Sequence, residues 1–272
     1  MKISRSGYYK WLKRKNHLNR YEINRKDLGE LIKDIHKKKP SYGYHRINVI
    51  IRRETGWIVS DNLVHKVCKL LNIKSKAKHY KYKKSGEESI KYENIIGYNW
   101  NTSRPFEKIV SDTTSFYFKK KKYDWTFYLD VFNNEIVGSD VRETMYGNGI
   151  LNHNKAVESM LNNKIKRGYK DLDTIVHTDQ GIIYSSMSFN NIFNSFKVIR
   201  SMSRAGTPTD NPVIESKNGW IKKEMYIDFD INNYNTVQEF IDDIIWDNNN
   251  YRPSYALNYK TPIEYKTQLG FK

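Results

Sequence analysis

The apolar residues of this chain change their spacing along its length, and this change limits the fold class. Between residues 20 and 71 they recur at helical intervals, as in the set Leu28, Leu31, Ile32 and Ile35. From Lys108 onward, β-branched and aromatic residues alternate with polar ones, which is typical of strands. We therefore predict a helical region followed by a region that contains a sheet.

The whole chain has a formal net charge of +17, and its basic residues are concentrated in the first third. Residues 1–90 hold 24 Lys and Arg against 8 Asp and Glu, whereas residues 91–272 hold 23 against 22. Such an asymmetry is typical of a protein in which a basic, nucleic-acid-binding region precedes a region of nearly neutral charge. A solvated, Lys-rich surface is the alternative explanation, and the helical pattern of the same region favours nucleic acid.

We place a basic helix-turn-helix region at residues 1–73. A helix over residues 44–54, a turn at Gly56 and a helix that Ser60 can cap give its outline. Residues 74–100 follow as a basic linker. The candidate DNA contacts are Arg46, Lys66 and Lys69.

A short basic helix is predicted ahead of this motif, over residues 4–20. Its apolar contacts are expected to be Tyr8, Trp11 and Leu12. The helix that follows should end near Pro40, because proline disfavours helical geometry in the residue before it.

Residues 101–272 are predicted to form an α/β domain with a mixed five-stranded sheet, because three strands are followed by alternating helices and strands. Strands are expected at 108–118, 123–132, 135–141, 174–177 and 197–201. Helices are expected at 154–165, 188–196, 212–225 and 236–248, before an extended tail.

Three carboxylates in this domain predict a divalent-metal site. Asp112 lies within the first strand, Asp179 follows the fourth strand, and Glu215, separated from Asp179 by thirty-five residues, opens a helix. Carboxylate oxygens are ligands that Mg²⁺ and Mn²⁺ prefer. Two such ions can bind the attacking and leaving oxygens of a phosphodiester. Taken singly, each residue could instead be a strand, turn or helix-surface residue.

Three neighbours of the carboxylates are candidates for supporting roles. His177 is interpreted as a structural residue or as a partner that orients a carboxylate. For Asn211, the role of a helix cap is preferred over that of a metal ligand. Lys222 follows Glu215 by two helical turns and should face the same side, where it could contact DNA.

The chain resembles the orfB-type transposases of the insertion-sequence-three family, within the DDE transposase and retroviral integrase superfamily. The resemblance covers almost the whole chain. It rests on the segments Ser4–Trp11, Tyr42–Ile47, His177–Gly181, Ser201–Gly206, Asp210–Ser216, Tyr251–Pro253 and Lys260–Tyr265. Thr113-Thr114 and Ile182-Ile183 depart from the more usual residues of the family.

The resemblance implies an RNase H-like catalytic domain after a small all-α domain, and a metal-dependent transposase that cleaves and joins DNA. It also implies Mg²⁺ dependence, catalytic and metal-binding roles for Asp112, Asp179 and Glu215, and a DNA contact by Lys222. Expected partners are insertion-sequence ends, target DNA, further copies of the chain and a fusion with an upstream frame.

Two alternatives remain open from the sequence. One is a nuclease of the same fold that cuts DNA without joining it, and the other is a DNA-binding repressor with an inactive acidic site. Cys68 is the single cysteine, which excludes a disulfide framework and a Cys-rich zinc site. No apolar stretch approaches the ~20 residues of a membrane span. We therefore expect a cytoplasmic protein, and the resemblance implies that it is bacterial and DNA-associated.

Overall fold

The computed structural model describes residues 4–15, 19–77, 92–145, 147–181, 183–185, 187–204 and 207–271. The chain divides into two compact units, Met1–Ala77 and Lys78–Lys272. Most of the predicted basic linker, residues 78–91, lies outside the described residues. In the part of the chain that is described, no helix is long and apolar enough to cross a membrane.

The first unit contains helices α1 (Arg5–Arg14), α2 (Arg20–Lys38), α3 (Tyr44–Thr55) and α4 (Asp61–Leu70). The predicted cap is present, because the Ser60 hydroxyl accepts a hydrogen bond of 3.3 Å from Leu63 N. Gly56 ends α3 in the left-handed region, at φ 70°. The helix-turn-helix outline of the sequence is therefore confirmed.

Helix α1 differs from its prediction. It ends at Arg14, and none of its residues is buried. Tyr8, Trp11 and Leu12 were expected to make apolar contacts, yet each remains about half exposed, at 48%, 54% and 46%. The apolar cluster of this unit comes instead from α2, α3 and α4, which bury Leu28, Ile32, Ile47, Ile50, Ile51 and Val64.

The second unit is built on a mixed five-stranded sheet, as predicted. Its strands are β1 (Lys108–Phe118), β2 (Lys121–Asp130), β3 (Ile136–Glu143), β4 (Thr174–Thr178) and β5 (Val198–Met202). Their order is β3-β2-β1-β4-β5. The first three strands are antiparallel, and β1, β4 and β5 are parallel.

In the described part of this unit, five α-helices accompany the sheet: α5 (Asn148–Lys166), α6 (Met187–Asn191), α7 (Pro212–Glu224), α8 (Val237–Trp246) and α9 (Pro262–Gln268). Helix α5 begins six residues before its predicted start. Helix α9 replaces the predicted extended tail, although its capping box, Thr261 with Glu264, is readable in the sequence.

The two faces of the sheet bury separate apolar clusters. Ile109 belongs to the cluster that contains α5, whereas Val110 belongs to the cluster that contains α7 and α8. Alternate residues of β1 therefore face different helices. Gly138 lets α5 approach β3 closely, since a Cβ there would lie 2.4 Å from Met160 N. This two-sided covering decides which helix each residue of β1 meets.

Candidate active site

Two of the predicted carboxylates lie near neighbouring strands. Strands β1 and β4 run parallel, and their last paired residues are Val110 and His177. Asp112 lies two residues beyond Val110 on β1, and Asp179 lies two residues beyond His177, just past the end of β4 at Thr178. The charge of Asp179 raises the pKa of Asp112, so the two groups interact electrostatically.

Helix α7 brings the third carboxylate to the same strand. The Asn218 side chain of α7 donates a hydrogen bond through Nδ2 to Asp112 Oδ2. Glu215 lies one turn before Asn218, on the same side of the helix. Burial raises the pKa of Glu215, and so does the negative charge of Asp112. Asp112 therefore interacts with both of the other carboxylates.

The surroundings of Asp112 raise the pKa of its carboxyl group. It is partly buried, whereas Asp179 and Glu215 are exposed. Burial, followed by the charge of Asp179, raises the pKa of Asp112 to about 6. Three groups oppose this shift: Thr113 N, which donates a hydrogen bond of 2.8 Å to Oδ1, the Asn218 amide and the Lys222 charge. Ionised Asp112 is thus held at a cost in free energy.

This cost predicts a pH-dependent stability. The folded pKa of about 6 lies above the value of about 3.9 for a free Asp. The folded state therefore binds this proton more tightly than the unfolded state, so its contribution to stability is full below pH 4 and is lost as the pH rises through 6. Without divalent metal, Asp112→Asn should stabilise the protein at pH 7 relative to wild type, by on the order of 1–3 kcal/mol more than at pH 4.

Urea unfolding of both proteins in EDTA at pH 4 and pH 7 measures this difference. The comparison with Asp112→Asn cancels the titration of groups that do not interact with Asp112. An equal stability difference at the two pH values would contradict the raised pKa of Asp112.

The oxygen donors of the site fit a hard divalent cation, although the three carboxylates do not converge on one point. Within the described ranges, no three His, Cys, Asp or Glu side chains form a group close enough to hold an ion. Some buried amide atoms within four residues of Asp179 or Glu215 in the sequence, however, have no hydrogen-bond partner. They are Gln180 Oε1 and Nε2, Asn211 Oδ1 and Asn218 Oδ1. Repelling carboxylates beside unpaired amide oxygens are what an oxygen-binding cation would stabilise.

His177 and Asn211 make contacts of a structural kind. His177 is fully buried, with Nδ1 at 2.9 Å from Ser201 Oγ and Nε2 at 3.0 Å from Ser203 Oγ, and burial lowers its pKa to about 4. It thus connects β4 with β5, as the structural interpretation predicts. Asn211 is the N-cap residue of α7, although its side chain makes no capping hydrogen bond.

The predicted DNA contacts differ in exposure. Lys222 is exposed, and its charge lowers the pKa of Asp112, so it lies within electrostatic reach of the acidic residues. Lys66 and Lys69 are exposed on α4. Arg46 is partly buried, with its guanidinium 5.4 Å from the centre of the Tyr42 ring.

Two residues at the site were missed in the sequence. Asn218 could have been found, because it follows Glu215 by three residues on the same helical face. His153 gave no signal, because it precedes the predicted start of its helix. Its Nε2 lies 3.2 Å from Thr113 Oγ1, beside Asp112 in the chain.

Comparisons with known proteins show what this chain is similar to. Residues 22–82 match the HTH-like domain family and residues 197–262 match the integrase core domain family. The chain is 29% identical over 267 residues to the InsK transposase of insertion sequence element IS150 from Escherichia coli (strain K12), covering 98% of this chain and 90% of that one. It is 27% identical over 252 residues to the transposase of insertion sequence element IS904 from Lactococcus lactis subsp. lactis (strain IL1403), covering 91% and 96%.

Among solved structures, the HTLV-2 integrase catalytic core domain in complex with magnesium is similar to 58% of this chain and to 94% of that chain. Its TM-score is 0.43 at 17% sequence identity.

An integrase core with an HTH-like domain before it defines a DDE-type polynucleotidyl transferase. The chain is similar over more than nine-tenths of its length to insertion-sequence transposases, and its integrase core domain supports the same function. The resemblance read from its motifs is thereby confirmed. Proteins of this class act on DNA and normally use a divalent metal ion.

Proposed function

We propose that Asp112, Asp179 and Glu215 are the catalytic carboxylates and that they hold two Mg²⁺ or Mn²⁺ ions. The chain would cleave the ends of its own insertion sequence and join them to target DNA. The observation that carries this proposal is the hydrogen bond from Asn218 to Asp112, which joins α7 to β1 one helical turn from Glu215. The charge of Asp179 acts on Asp112, and that of Asp112 acts on Glu215, in the same direction. When bound, such ions supply an activated oxygen nucleophile and neutralise charge on the leaving oxygen.

The protein's own groups orient the site. Thr113 N–H and the Asn218 amide each hold one oxygen of Asp112, which limits rotation of that carboxylate. Asp179 and Glu215 are exposed and therefore accessible to cations and DNA. No Ser, Tyr or Cys nucleophile is required, since water or a DNA 3′-hydroxyl attacks the phosphorus directly. We also propose the domain boundaries 1–73, 74–100 and 101–272, and a homo-oligomer on DNA.

A single-turnover assay tests the function. The full chain is mixed with duplexes that carry the element's ends, in Mg²⁺, in Mn²⁺ or in EDTA. Metal-dependent nicks and joined products are expected. Nicks without joined products would favour the nuclease alternative, and DNA binding without nicks would favour the repressor alternative.

Exposed lysines of α4 are expected to supply DNA affinity. Lys66→Ala with Lys69→Ala removes two charges that can neutralise phosphates, so the slope of log affinity against log salt should become shallower by about 2. The same change at Lys37 and Lys38, which are exposed at the end of α2, is the control. Filter binding over a series of salt concentrations measures both slopes. Equal slopes for the two double variants would mean that only bulk charge matters.

Lys222 is expected to position DNA. An ammonium near Asp112 can bind a phosphate as a point charge. Lys222→Ala should therefore weaken productive DNA engagement roughly tenfold, the value of one charged hydrogen bond, and slow chemistry less once DNA is saturating. Lys223 points about 100° away on the helix, and its ammonium lies 4.9 Å from the Trp220 ring centre.

Lys223→Ala is thus the matched control. Single-turnover rates measured against DNA concentration separate engagement from chemistry. Equal effects of the two substitutions would contradict a specific role for Lys222.

A further inference from the structure

The residue after Asp112 faces the other side of the sheet. Side chains alternate along a strand, and Asp112 is bonded to α7 through Asn218. Thr113 instead contacts α5, where its hydroxyl lies 3.2 Å from His153 Nε2. The same hydroxyl lies 2.7 Å from that of Thr126, its directly paired residue on β2.

These contacts form a hydrogen-bonded chain with a defined direction. His153 Nδ1 lies 2.7 Å from the Gly149 carbonyl oxygen, which can only accept, so Nδ1 carries the proton. In the neutral ring, Nε2 is then an acceptor for the Thr113 hydroxyl. Thr113 Oγ1 in turn accepts from Thr126. Burial lowers the pKa of His153, which favours this neutral form.

The chain ends at the proposed catalytic carboxylate. Thr113 donates its backbone N–H to Asp112 Oδ1 at 2.8 Å, so the position of Thr113 sets the direction of that bond. The preceding residue is tied to the same side, because Ser111 Oγ lies 3.3 Å from Tyr184 OH. The Tyr184 ring also packs edge-on against His153, with centres 4.8 Å apart. Both neighbours of Asp112 are thus connected to the α5 side of the sheet.

We propose that His153 is a positioning residue, which acts through the Thr113 hydroxyl to fix the backbone N–H that orients Asp112. This inference rests on the proposed function, in which Asp112 is a metal-binding carboxylate. His153 lies on the opposite face of the sheet from Asp112 and is linked to it through Thr113. Its role is to complete, from α5, the restraint that Asn218 provides from α7.

The test compares substitutions that keep or remove this chain in the full-length protein. Thr113→Val and His153→Phe remove the hydrogen bonds with little change of shape, whereas Thr113→Ser keeps the hydroxyl. The control is Asn163→Ala, which removes a 2.7 Å bond from α5 to the Val137 carbonyl and leaves Asp112 untouched. Three readouts are used: amide hydrogen exchange at residue 113, Mn²⁺ affinity by electron paramagnetic resonance, and single-turnover joining with bound DNA.

Thr113→Val and His153→Phe should lose exchange protection at residue 113. They should also weaken Mn²⁺ binding or slow joining by roughly 10- to 100-fold, as is typical for groups that orient metal ligands. Thr113→Ser and Asn163→Ala should stay near wild type in both. Melting temperatures identify effects that come only from lower stability.

Two results would overturn the inference: protection at residue 113 that is unchanged in His153→Phe, or losses that follow melting temperature in all variants including Asn163→Ala. If the wild-type chain neither binds Mn²⁺ nor joins DNA, the proposed function fails. Hydrogen exchange at residue 113 then still decides whether His153 restrains the strand.

Discussion

Replacing Asp179 with asparagine is expected to abolish DNA cleavage and joining while leaving DNA binding nearly unchanged. The substitution keeps the size of the side chain and removes the charge that, with Asp112, would hold a cation. Losing the metal ion's stabilisation of the transition state raises the activation free energy by several kcal/mol. Since each 1.36 kcal/mol changes the rate tenfold, a rate decrease on the order of 1,000-fold or more is expected. Asp112→Asn and Glu215→Gln should behave alike.

Asp173 provides the matched control. It precedes β4, whereas Asp179 follows it, and both side chains are exposed. Asp173→Asn therefore makes the same chemical change at the opposite end of the same strand. Single-turnover cleavage and electrophoretic mobility shifts measure chemistry and binding separately. Retained cleavage by Asp179→Asn, or equal loss in Asp173→Asn, would remove Asp179 from the site.

Replacing Arg252 with methionine is expected to lower the free energy of unfolding substantially. Arg252 and Glu224 form a two-pronged pair, with Nε to Oε2 at 2.6 Å and an Nη to Oε1 at 2.8 Å, and both side chains are only 9% exposed. Removing one member leaves a buried charge without this counter-ion, which typically costs about 3–5 kcal/mol. Because Glu224 is the last residue of α7, the helix that carries Glu215 would also be released.

Urea unfolding measures this loss. Lys121→Met is the control, since Lys121 and Glu143 form a surface pair at 2.9 Å, which water screens and which contributes little to stability. Adding Glu224→Leu to Arg252→Met should restore much of the stability, because both charges are then removed together. A loss below about 1 kcal/mol in Arg252→Met would contradict the buried character of the pair.

The strands could be predicted because their signal is local. Alternation and β-branched residues gave β1 its observed bounds and gave β4 and β5 to within one residue. The order of elements then favoured a mixed sheet, which the structure confirms. Helix starts without a capping side chain were harder to predict. Helix α5 begins after Gly147, with no side-chain cap, and its predicted start fell six residues late.

What the sequence by itself determined is the set of elements, the basic first region and the three carboxylates as candidates, because periodicity, charge and residue type are properties of short segments. Only the tertiary structure decided which groups meet. The pairing of β1 with β4 brought Asp112 within electrostatic reach of Asp179, and packing of α7 on β1 brought Asn218 to the same carboxylate. Two-sided covering of the sheet placed His153 behind Thr113. Hydrogen bonds and pKa shifts depend on distances between segments far apart in the chain, and those distances exist only after the sheet has formed and the helices have packed on it.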